Sequence, residues 1–102
     1  MLVYNMTFSV DADSADEWLA WMKSTHIPNV RKTGLFQSHK ILKVLSHDDT
    51  ATVSFAIQFF VESSEILENY FDKDAHQLNK AIQQRWGESQ IAYESLLKDI
   101  TS

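Results

Sequence analysis

Two stretches of this chain alternate so strictly between apolar and polar residues that they leave little choice of fold. In LVYNMTFSV, residues 2–10, Leu2, Tyr4, Met6, Phe8 and Val10 fall on one side, and Val3, Asn5, Thr7 and Ser9 on the other. In ATVSFAIQFFV, residues 51–61, Val53, Phe55, Ile57, Phe59 and Val61 alternate with Thr52, Ser54, Ala56, Gln58 and Phe60. A period of two is that of a β-strand with one face on a core.

The segments between these strands change period. Ser14 and Glu17 have the spacing of a capping box, so a helix is expected from there. At about 100° per residue, Ala15, Trp18, Leu19, Met22 and His26 share one helix face, with Trp21 at its rim. Pro28 disfavours helical geometry at Ile27, so this helix is expected to end near His26. Pro28 then opens a short second turn closed by Gly34. Residues 35–45 read as a second strand, and SHDDT as a polar hairpin loop. Ser63 or Ser64 caps a second helix that runs to Trp86 and ends at Gly87, with a bend at DKDA where the apolar stripe shifts phase. Residues 89–100 read as a last strand.

The resulting order is βαββαβ in a single domain spanning residues 1–102. It describes an α+β, ferredoxin-like protomer: a four-stranded antiparallel sheet with two helices on one face. The first and third strands then lie at the centre of the sheet.

Composition narrows the function classes. The chain carries a formal charge of −5 and no basic run, which argues against binding a nucleic-acid backbone. It has no cysteine, so disulfides, thiolate chemistry and the usual structural zinc sites are excluded. No basic leader opens it, and no apolar run approaches the roughly 20 residues of a membrane helix, so the expected location is cytoplasmic, away from membranes. With two glycines, both at expected helix ends, a nucleotide-binding fingerprint is excluded as well.

The helices can cover only one face of the sheet. The other face of the two central strands carries Val3, Asn5, Thr7, Thr52, Ser54, Ala56 and Gln58, all small or semi-polar and none charged. A solvated central face normally carries more Lys and Glu. This one reads as a homodimer face, two sheets packing together with their few polar groups satisfied across the interface. A solvated sheet in a monomer is the alternative.

The stretches VYNMTFSVD, EWLAWMKSTHIPNVRKTGLF, KVL and RWG together resemble a small bacterial family of unknown function within the dimeric α/β-barrel superfamily. The most specific part is W-x-x-W-M-K-x-x-H-I-P-x-V: Trp18, Trp21, Met22, Lys23, His26, Ile27, Pro28 and Val30. The resemblance implies a dimer whose sheets form a barrel, and no established activity. The superfamily includes cofactor-free and heme-degrading monooxygenases, isomerases and sensing domains, so the fold does not select a function.

Several groups of residues are candidate sites. His26 lies near Trp18 and Trp21 at the rim of an apolar face. It reads either as a titrating group in a cleft or as a cap on its own helix. His76 lies beside the stripe of the second helix and reads as pocket group or solvated residue. With Asn5 it matches, incompletely, the Asn and His of heme-degrading relatives, and Tyr70 stands roughly where their Trp would be. Asp72 and His76, spaced i, i+4 with Asp74 alongside, lack a third placed ligand, so no metal site is expected. His39 and His47 are read as surface. Trp21, His26 and Tyr70 are the candidate ligand-binding residues, for a small apolar molecule. His26, His76 and Asn5 are the catalytic candidates, as proton acceptors and oxyanion holder. No cofactor is expected. Two functions stand, a binding or structural domain and a cofactor-free monooxygenase or isomerase, with heme degradation a remote third.

Overall fold

The computed structural model describes residues 1–46 and 49–101, so His47 lies outside the described residues. Four strands form one antiparallel sheet: β1 (Leu2–Asp11), β2 (Ser38–Lys43), β3 (Thr52–Val61) and β4 (Gln90–Lys98). Their order is β2-β3-β1-β4, so the two alternating stretches are the central strands. Tyr4 lies opposite Phe59, Met6 opposite Ile57 and Phe8 opposite Phe55, which puts both apolar sets on one face. On β4, Ala92, Glu94 and Leu96 share that face, opposite Phe8, Met6 and Tyr4.

On β1 and β3 that face lies under the helices, while Ala92, Glu94 and Leu96 on β4 stay exposed. Trp18, Met22, Val30, Leu67, Tyr70 and Ile82 bury against the strands, and each is at most 2% exposed. Trp18 stacks on Phe55 at 5.3 Å and tilts against Phe8 at 5.0 Å. Its indole N–H donates to Gln90 Oε1 at 3.0 Å, tying the first helix to β4. This is the normal solution for a buried tryptophan, whose apolar ring is covered while its polar end finds an acceptor.

The first helical segment departs from expectation. It does not stop at His26. A 3-10 turn (Ala12–Ser14) leads into α1 (Ala15–Trp21), a π-turn (Met22–His26) and α2 (Ile27–Arg31), all right-handed. The Ile27 N–H reaches back to Met22 O, a span of five residues. Pro28 lacks an N–H, and its ring crowds the carbonyl four residues earlier in an α-helix. One wider turn relieves that clash without ending the helix. The expected capping box is also absent, since Ser14 makes no side-chain cap bond. Gly34 does close the segment, at φ 74°.

The second helical segment follows expectation. Ser63 Oγ accepts from Ile66 N at 3.4 Å and caps α3 (Ser64–Lys73). The chain breaks at Asp74, where the apolar stripe changes phase, and α4 (Ala75–Trp86) follows. Gly87 ends it at φ 51°, ψ −123°. Among the described residues no helix is long and apolar enough to cross a membrane.

Candidate functional site

A cleft of about 190 Å³ opens between α4 and the β1–β4 half of the sheet. Met6, Phe8, Ile82 and Ala92 supply its apolar surface, and Asn79, Gln83, Gln90 and Glu94 its polar rim. Glu94 is the one ionisable side chain among the described residues that line it.

The rim is wired to the core through Tyr4. The Tyr4 hydroxyl donates to Glu94 Oε1 at 2.9 Å. Burial pushes the Tyr4 pKa far up, and the Glu94 carboxylate adds to the shift. The Asn79 side chain, hydrogen-bonded to the phenol, opposes it in part. Tyr4 therefore stays protonated and holds one carboxylate oxygen in place. The other side-chain atom of Asn79 is unusual: its Oδ1 is buried and has no hydrogen-bond partner among the described residues. A buried acceptor without a donor costs about 1–3 kcal/mol, so this atom calls for a donor from solvent or from a ligand. Gln90, held by Trp18, closes one end of the rim.

None of the residues singled out from sequence lines this cleft. His26 is 3% exposed at the end of the π-turn, stacked on Trp21 at 6.3 Å. Burial lowers its pKa from 6.5 to about 4, so it is neutral. The helix continues past it, which removes its role as a cap on the last carbonyls. Trp21 also meets the edge of Trp86 at 6.2 Å. Tyr70 is a core residue, packed on Phe36 at 4.9 Å and Tyr4 at 6.0 Å. Burial raises its pKa, and the Asp74 and Glu94 charges add to this. His76 is exposed on α4. Asn5 alternates with Tyr4 and Met6, so it faces away from every helix. The three catalytic candidates thus lie in three separate places of the protomer. His39 is partly buried on β2, with Nδ1 2.7 Å from Arg31 Nη1. Its pKa is lowered by burial and by the Arg31 charge. Among the described residues no group of three His, Asp or Glu could hold a metal ion.

The open face of the sheet carries the uncharged set read from sequence. It carries more than that set: Phe60 on β3, Leu42 on β2, and Ile91, Tyr93 and Leu97 on β4 share it by register. Its amides were expected to find partners across an interface. Instead Gln58 Nε2 donates to Asn5 Oδ1 at 3.2 Å, and Asn5 Nδ2 donates to Thr7 Oγ1 at 3.2 Å, all within one sheet.

Asn79 and Glu94 were missed because each looks like an ordinary surface residue when read alone. The available signal was positional. Asn79 sits four residues after Ala75 and three before Ile82, on the buried stripe, and Glu94 falls on the helix-facing side of β4.

Sheet order, helix placement and register make this a ferredoxin-like α+β protein. Residues 1–100 match the family described as Domain of unknown function (DUF4286), and the chain belongs to that family. No curated protein matches it in sequence. Among solved structures it is similar to a dimeric ferredoxin-like protein from an uncultured marine organism, with a TM-score of 0.71 at 9% identity, covering 99% of this chain and 97% of that one. It is also similar to a mutant of MhuD with two manganese protoporphyrin IX molecules bound per active site, with a TM-score of 0.71 at 13% identity, covering 100% and 97%. A third is a putative antibiotic biosynthesis monooxygenase from Bacillus cereus, with a TM-score of 0.66 at 14% identity, covering 99% and 94%. At such identities the likeness is one of fold alone.

Proposed function

We propose that this chain is a single-domain, homodimeric small-molecule-binding protein whose α4–sheet cleft takes a small apolar ligand. The observation that carries the reading is the cleft itself: an apolar floor beside a buried acceptor, Asn79 Oδ1, that lacks a donor. Binding sites typically combine an apolar lining with a few polar groups that fix orientation. The volume sets the size of the ligand. A cavity of about 150 Å³ holds one benzene ring, so about 190 Å³ suits one ring with a short tail.

The dimer rests on the largely uncharged, partly apolar open face, where Lys40 on β2 and Asp11 at the end of β1 are the charged side chains among the described strand residues, and on the dimeric ferredoxin-like neighbour. Asn5, Thr7 and Gln58 meet part of one another's hydrogen-bonding needs within the sheet, so a second sheet that covers them has fewer polar groups left to satisfy.

The enzyme alternative draws less support. A cofactor-free monooxygenase or isomerase needs a base and a hydrogen-bond donor facing one cavity, and His26, His76 and Asn5 do not share one. Nor does the cleft fit a porphyrin of the kind the MhuD structure holds: it is little larger than one aromatic ring, and Asn5 faces away from it.

Titration of the labelled protein with 2-phenylethanol, followed by amide NMR shifts, tests the reading. Saturable shifts are expected at Met6, Phe8, Ile82 and Ala92, and Ala92→Phe should abolish them by filling the floor. Shifts elsewhere, or none, would overturn it.

A further inference from the structure

Resting on the binding reading above, we infer that the cleft is built for an arylalkylamine: one aromatic ring on the apolar floor, with its ammonium between Glu94 and Asn79. The polar end is made of acceptors. Glu94 Oε1 is taken by the Tyr4 hydroxyl, and its second oxygen has no protein donor among the described residues. Asn79 Oδ1 is buried without a donor. An ammonium carries three donors and no acceptor, so it can serve both at once.

Charge points the same way. Glu94 is the only ionisable group among the described lining residues, and no Lys or Arg among them balances it. A carboxylate or phosphate ligand would meet like charge at close range and lose its hydration without compensation. A neutral alcohol would satisfy one acceptor and leave the other. A charge-assisted bond is about twice as strong as a neutral one, which separates amine from alcohol.

Tyr4 is the positioning residue of this end. Its buried, protonated hydroxyl fixes the rotamer of Glu94 and leaves the second oxygen for the ligand.

Three probes of matched size test this by amide NMR titration: 2-phenylethylamine, 2-phenylethanol and 3-phenylpropionate. The amine is expected to bind about tenfold tighter than the alcohol, with shifts concentrated at Asn79, Ala92 and Glu94. The carboxylate should not bind measurably. In Glu94→Gln the amine should lose its advantage over the alcohol, while a dispersed amide spectrum shows that the variant is folded. If the alcohol binds in the cleft but the amine binds no tighter, or Glu94→Gln leaves the preference intact, the inference fails and the binding reading stands. If none of the probes shifts the floor residues, both fail.

Discussion

Trp21 and His26 stack at 6.3 Å with their rings 16° from parallel, although five residues separate them. On an α-helix that spacing would set them about 140° apart. The π-turn brings them to the same side. It also buries an imidazole for which no hydrogen-bond partner is found among the described residues. A buried ring without an acceptor cannot carry charge cheaply, and burial alone lowers the His26 pKa from 6.5 to about 4.

A pH dependence follows. The unfolded chain takes up a proton near pH 6.5, whereas the folded chain resists it down to about pH 4. The His26 contribution is therefore complete above pH 6.5 and is lost as pH falls toward 4, by roughly 3 kcal/mol. Urea unfolding at about pH 7.5 and about pH 4.5 measures it. His26→Phe keeps an aromatic ring on Trp21 and should remove most of this loss. Equal losses in both proteins would mean that His26 is accessible to protons in the folded state.

Gly87 ends α4 at φ 51°, ψ −123°, a backbone conformation open to glycine and costly for other residues. A Cβ there would meet nothing within 4 Å, so any cost of Gly87→Ala comes from the backbone alone. We expect a loss of roughly 1–2 kcal/mol, read as a lower urea midpoint at unchanged slope. A neutral substitution would mean that the turn relaxes.

The strands were legible because alternation depends on the chain's own geometry. Once Tyr4, Met6 and Phe8 face a core, Val3, Asn5 and Thr7 must face away. The Ser63 cap, the break at Asp74 and the Gly87 stop were legible for the same local reasons. Pro28 misled because its rule is also local: tertiary burial of Met22, Ile27 and Val30 favours continuing the helix, and a π-turn makes that possible. The cleft was not legible, because Asn79 and Glu94 meet through Tyr4, on a third element 75 or more positions away in sequence. No local pattern reports such a meeting.

Trp18 couples the core to the cleft through its bond to Gln90. Trp18→Phe should cost roughly 2–3 kcal/mol, from lost packing against Phe8 and Phe55 and from the missing N–H donor. It should also free the Gln90 amide to move. In a crystal structure of the variant, Gln90 should occupy more than one rotamer while Met6 and Phe8 stay in place. A fixed Gln90 would mean that the strand itself holds that rim.

Tyr93 provides the cleanest probe of the proposed dimer, because it is 65% exposed in the single chain and lies on the open sheet face opposite Thr7. A charge there burdens an interface without touching the protomer core. Ser54 is a poorer probe, being 8% exposed and already buried within the protomer. A standard interface hides roughly 800 Å² per partner, and a lysine within it would be buried without a partner for its charge. Tyr93→Lys should therefore run as a monomer in light scattering at concentrations where the parent is a dimer, with an unchanged far-ultraviolet circular dichroism spectrum. Dimers that persist in Tyr93→Lys would move the interface off this face. The cleft predictions would be untouched, because Glu94 points to the other side of the same strand.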